Sequence, residues 1–215
     1  AAAITPRTRL VLLCTPNNPT GVTIAGADLD RFLARVPGDV LVAIDEAYLE
    51  YVTTDPLDAL ARYRRYPNVC LLRTFSKAYG LAGLRVGYAI ASPTVAGALR
   101  RTGLPFAVSS LAQAAAIASL DASRELAERV AAVATERDRV TCAMRRLGLA
   151  VPGSQANFVW LRTGEGEREA VLRAFDAADI LVRGYAGDGV RITIADAASN
   201  DRVLQVLAEL QRAAA

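Results

Sequence analysis

Apolar residues in the first half of this chain come as short unbroken runs, not as alternating positions. Arg9 to Cys14 reads RLVLLC and ends at the turn-rich stretch Thr15-Pro16-Asn17-Asn18-Pro19-Thr20-Gly21. Val40 to Ile44 (VLVAI) ends at Asp45-Glu46. Val69 to Arg73 (VCLLR) ends at a loop that holds Lys77, and Val86 to Ala91 is a fourth run. Runs of this length between turn signals predict strands buried on both faces. Positions 26–36 and 56–66, between the runs, have helical spacing. Strands alternating with helices predict an α/β domain, with a mainly parallel sheet and helices on both of its faces.

The pattern changes beyond residue 92. Residues 93–101 and 108–148 read as long Ala-rich helices with Glu and Arg interspersed, suited to connecting two domains. After Gly148 come a strand at 158–162 (FVWLR), a helix at 167–178, strands at 180–183 (ILVR) and 189–195 (GVRITIA), and a helix at 199–213. That order predicts a small α+β C-terminal domain. The expected division is 1–105, connecting helices over 106–148, and 149–215.

Placement of the polar residues adds function to this picture. Asn17-Asn18, Asp45 to Tyr48 and Ser76-Lys77 each follow the end of a predicted strand. In open α/β sheets ligands bind in the crevice outside those ends. Composition singles out one of these residues. Lys77 is the sole lysine among 25 Lys and Arg residues. Arg keeps its proton, whereas a Lys amine can lose its proton and condense with a carbonyl. The alternative is a surface lysine without chemistry.

Composition also excludes several classes. The chain has no histidine, which rules out a Ser-His-Asp triad, a Cys-His pair and His-ligated zinc within it. No metal is expected. Net charge is only +3 and spread along the chain, with no basic stripe, so nucleic acid is not an expected partner. No apolar run approaches the ~18 residues of a membrane span. Cys14, Cys70 and Cys142 are odd in number and widely spaced, which reads as buried thiols in a reducing cytoplasm.

The strand-end clusters fit one cofactor. A Lys amine that condenses needs a carbonyl partner, and pyridoxal phosphate offers an aldehyde, a ring nitrogen, a phenolic oxygen and a phosphate. Asp45 can pair with the ring nitrogen, although an Asp there can equally cap a helix. Asn18 and Tyr48 suit the phenolic oxygen. Thr74, Ser76 and Arg85 suit the phosphate.

The stretches TPNNPTG, IDEAYLEY and RTFSKAYGLAGLRVGYAIA resemble the fold-type I pyridoxal-phosphate aminotransferases. Within these they are most similar to the branch of histidinol-phosphate and aromatic-amino-acid aminotransferases. The resemblance covers essentially the whole chain. It implies that Lys77 anchors the cofactor and carries the proton, that Asp45 is the ring-nitrogen partner, and that Asn18, Tyr48, Thr74, Ser76 and Arg85 bind the cofactor. It implies further that Arg191 grips the substrate carboxylate and that Arg183 is a second substrate-facing arginine. For Arg191 a solvent-facing strand position remains the alternative. The Asn18–Pro19 bond is a candidate cis peptide. Substrates would be an amino acid and a 2-oxo acid, the assembly a homodimer with shared sites, and the location cytoplasmic. SQANFVWL and the short loop between Arg183 and Arg191 point to an aromatic amino acid, with histidinol phosphate as the alternative. Decarboxylation, elimination and a non-catalytic cofactor-binding domain are further alternatives. The family's large domain begins before Ala1. The expectation is therefore a chain holding the C-terminal ~60% of such an enzyme and binding cofactor weakly by itself.

Overall fold

A computed structural model describes residues 1–214. The chain forms two compact units: Ala1–Pro16 with Thr23–Glu128, and Asn17–Val22 with Arg129–Ala215.

The first unit is built on a four-stranded sheet in sequence order, β1 (Leu10–Cys14), β2 (Leu41–Asp45), β3 (Val69–Thr74) and β4 (Gly87–Ile90). β1, β2 and β3 run parallel, with Leu13 opposite Ile44 and Ile44 opposite Leu71. β4 returns antiparallel, with Arg73 opposite Tyr88. The parallel pairs need crossovers, which α1 (Gly26–Leu33) and α2 (Ala59–Arg65) provide. Leu29, Leu33, Val42, Ile44, Val69 and Leu71 form the core between helices and sheet, so β2 and β3 are apolar throughout because they are buried. Asp58 caps α2 by accepting from the Ala61 N–H. Arg62, on α2, holds Asp30, on α1, through two hydrogen bonds of 3.0 and 2.8 Å. α3 (Pro93–Thr102) starts on a proline, which suits the first helical turn.

The stretch read as helix over 108–148 is α4 (Ser110–Asp121) and α5 (Ser123–Arg146), broken at Ala122. Ser109 caps α4 by accepting from the Ala112 N–H. Ala112 and Ala116 are buried, while Leu111, Ile117 and Leu120 are exposed.

The second unit has an antiparallel sheet ordered β5 (Phe158–Arg162), β7 (Gly189–Thr193), β6 (Arg183–Tyr185). One face, with Val159, Leu161, Val190 and Ile192, packs on Phe175 of α6 (Glu165–Ala177), on Leu207 of α7 (Ala197–Ala214) and on Met144 of α5. The strand expected over 180–183 begins only at Arg183. The residues before it close the end of α6 instead: Asp179 takes a left-handed φ of 55° and the Ile180 N–H donates to Phe175 O.

Among the described residues no helix is long and apolar enough to cross a membrane. The expectation of three buried thiols holds for Cys70 only. Cys14 is half-buried, and Cys142 lies on an exposed face of α5.

Candidate active site

Three chain turns at the C-terminal ends of β2 and β3 converge in the first unit. β2 ends on Asp45, whose carboxylate accepts from the Ala47 N–H at 2.9 Å and so tightens the exit from the strand. Tyr48 follows, 4% exposed. β3 ends on Thr74, whose hydroxyl donates to Ser76 Oγ at 2.9 Å and accepts from the Ser76 N–H at 3.1 Å. Lys77 comes next, with Nζ 5.5 Å from the centre of the Tyr48 ring. The 3-10 turn Ala82–Leu84 brings the chain back to Arg85, which holds a left-handed φ of 54° and donates from Nη1 to Ala82 O. A non-glycine residue in that conformation is strained, and such strain concentrates at functional sites.

Asp45, Thr74, Ser76, Lys77 and Arg85 line one cavity of about 370 Å³. It is of small-ligand size. The cavity thus gathers an amine, a carboxylate, two hydroxyls and a guanidinium. Glu46, beside it, is 2% exposed, and burial pushes its carboxyl above the usual range, a rise that Arg73 partly holds back.

The second unit holds the remaining predicted residues. Both Thr15–Pro16 and Asn18–Pro19 are cis, the latter as expected. Arg191 Nη1 donates to Asn18 Oδ1 at 2.8 Å, so two predicted site residues far apart in sequence are in direct contact. The Arg191 guanidinium lies 5.1 Å from the Phe158 ring centre. Its Nε is buried and has no hydrogen-bond partner among the described residues. Val190, Ile192 and Ile194 are in the core, so Arg191 occupies the opposite face. Arg183 and Trp160 are its register partners on either side and share that face. Trp160 meets Tyr185 edge-on, 5.5 Å between centres. A larger cleft of about 660 Å³ in this unit is lined by Pro19, Trp160, Thr163, Glu167 and Asp188 among others, but it lacks an amine. The smaller cavity carries the reactive set.

The loop of Asn18 is held from behind. Gly21 takes a φ of 75°, and a Cβ there would collide with the Ser154 side chain. Ser154 is buried and donates to Phe158 O at 2.6 Å. The Gln155 N–H donates to Gly21 O at 2.7 Å. Sequence reasoning did not find Ser154 or the Glu46–Arg73 pair. A Gly in a turn and a charge just past a strand are legible, but their partners in space are not.

Residues 1–209 match the family Aminotransferase class I and II. The chain belongs to the class I and II aminotransferases. The chain is 55% identical over 213 residues to an aromatic amino acid aminotransferase of Streptomyces coelicolor, covering 99% of this chain and 59% of the relative. It is 55% identical to one of Mycobacteroides abscessus, covering 95% and 59%. It therefore spans about three fifths of the length of the curated relatives it matches, 59% in both of these. Among solved structures, histidinol-phosphate aminotransferase from Sinorhizobium meliloti in complex with pyridoxal-5'-phosphate superposes with a TM-score of 0.86 at 33% identity, over 96% of this chain and 58% of that one.

Proposed function

We propose that this chain carries the chemistry of a pyridoxal-phosphate-dependent aminotransferase acting between an aromatic amino acid and a 2-oxo acid. The observation that carries the reading is the sole lysine at a cavity shared with Asp45, Thr74, Ser76 and Arg85. That donor set fits pyridoxal phosphate group by group. Lys77 would hold the aldehyde carbon, Asp45 the ring nitrogen, and Thr74, Ser76 and Arg85 the phosphate. Tyr48 and Asn18 would serve the phenolic oxygen. When bound, the cofactor would supply an electron sink for charge left on a substrate carbon.

The chain's own groups do the rest. Lys77 Nζ would take the substrate α-proton and later return it. The carboxylate of Asp45 would keep a proton on the ring nitrogen. Arg191 grips the substrate carboxylate, and its fork geometry fixes the α-carbon for that proton transfer. Its buried, unpartnered Nε supports this role, and Arg183 on the same face supplies a second cation. The Trp160–Tyr185 pair beside Arg191 and the names of the relatives support an aromatic side chain. Histidinol phosphate is the competing substrate, favoured by the structural neighbour. We assign the working form to a homodimer in the cytoplasm, with exposed apolar residues of α4 supporting association and the odd number and wide spacing of the cysteines supporting a reducing location.

Incubation with pyridoxal phosphate, borohydride reduction and peptide mass spectrometry test the central role. The adduct is expected on Lys77, and Lys77→Arg should abolish it while keeping the charge. Lack of an adduct on Lys77 at saturating cofactor would refute the reading. Relative rates with phenylalanine and histidinol phosphate decide the substrate.

A further inference from the structure

At the cavity, which Arg73 helps to line, lies an ion pair that the roles above leave unused: Glu46 is buried and the Arg73 side chain is 23% exposed. Glu46 directly follows Asp45, and its carboxylate accepts from Arg73 Nε at 2.8 Å. The Glu46 N–H donates to Leu72 O at 2.9 Å, and Glu46 O accepts from the Leu49 N–H at 3.0 Å, opening the turn that carries Tyr48. Arg73 immediately precedes Thr74 and stands four residues before Lys77. Its register partner on the neighbouring β4 is Tyr88. The pair therefore ties the segment Asp45 to Tyr48 to the segment Arg73 to Lys77. These two short segments carry every cavity residue assigned a role above except Arg85.

An ion pair with a buried carboxylate is a poor source of stability. Taking the Glu46 charge out of water is costly, and apolar residues of similar volume often hold a fold equally well. What charge adds is direction: a guanidinium and a carboxylate meet in few geometries. We propose that the Glu46–Arg73 ion pair is a clamp that sets Lys77 Nζ over the Tyr48 ring and into the cavity beside Asp45. Glu46 and Arg73 are then positioning residues, acting through Lys77, Tyr48 and Asp45. The functional meaning of the clamp rests on the role given to Lys77 above, whereas its geometry does not.

One lysine makes the test direct. In the full chain labelled with 13C-lysine and free of cofactor, side-chain NMR signals come from Lys77 alone. Stacking over Tyr48 shifts them upfield of free lysine by the ring current, and Tyr48→Leu should remove that shift. Glu46→Gln, neutral and nearly isosteric, should lose most of the displacement. Because Glu46→Gln leaves the half-buried Arg73 without its carboxylate and can weaken the fold, the paired change Glu46→Leu with Arg73→Met serves as the second variant. Its urea midpoint should stay close to the parent, yet its Lys77 signals should move to the free-lysine position. Unchanged signals in that folded double variant overturn the clamp, as does a parent whose Lys77 signals already sit at the free position. A missing borohydride adduct would leave this result standing, so the two readings fail separately.

Discussion

Glu50 carries a pH signature in the first unit. It lies in the 3-10 turn Leu49–Tyr51, where burial pushes its carboxyl up from the ordinary value of 4.5 and the Glu46 carboxylate adds to the rise, while Arg73 opposes it. A carboxyl whose folded value lies above its unfolded one binds its proton more tightly in the folded chain. Its contribution to stability is then present below the unfolded value and is lost as pH rises through the folded one. Glu50→Gln should therefore raise the urea midpoint at pH 7 and leave it nearly unchanged at pH 4. Equal gains at both pH values would contradict this. Much of the site was legible at the residue scale. Lys77 stood out because arginine had taken every other cationic position. Asp45, Thr74 and Ser76 then fell around it by their places after strands, and Arg85 by the charge that suits a phosphate. Glu46 and Arg73 were not legible, since charges at strand ends usually face water and only the fold brings them together. The burial of Arg191 Nε was equally hidden, because a strand's alternation says which face a residue takes but not what covers it.

At the level of elements, the turn Asn17 to Val22 shows how a loop can be as constrained as a strand. The Gly21 N–H donates to Asn17 O at 2.7 Å, and the Asn17 N–H donates to Val22 O at 2.8 Å. Gly21→Ala would force a left-handed alanine into the Ser154 side chain. It should cost about 2–4 kcal/mol in the second unit, combining overpacking with the loss of glycine's freedom. Chemical denaturation followed by Trp160 fluorescence, from the single tryptophan, reads it. A loss under about 1 kcal/mol would show that the turn relaxes. Apolar runs gave strands β1 to β5 and β7 to within a residue or two. β6 slipped because Ile180 and Val182 look like strand residues yet pack on the core while the chain leaves α6. The reversal of β4 was also not visible in its own residues. A buried strand looks alike in either direction, and only the twelve-residue connection from Thr74 to Gly87, without a helix long enough for a crossover, distinguishes them.

For the molecule as a whole, the surface of the first unit is unusually apolar around α4. Phe106 and Leu104 are 101% and 81% exposed, and Ile117 and Leu120 lie three apart on one helical face at 64% and 56%. Patches of this kind mark association surfaces. If α4 mediates the proposed dimer, Ile117→Glu with Leu120→Glu should give a smaller species by sedimentation equilibrium. Stability of the isolated chain should change by no more than about 0.5 kcal/mol per site. A parent that sediments as a monomer at high concentration would remove α4 from that role. The lone lysine has one more consequence at this scale. A lysine-specific endoprotease has a single bond to cut in the entire chain, Lys77–Ala78, and Ala78 is fully buried. Native cleavage into residues 1–77 and 78–215 thus reports how often the cavity floor opens. After borohydride reduction and denaturation, a chain whose amine is capped stays whole, so one gel lane reads the fraction of molecules loaded.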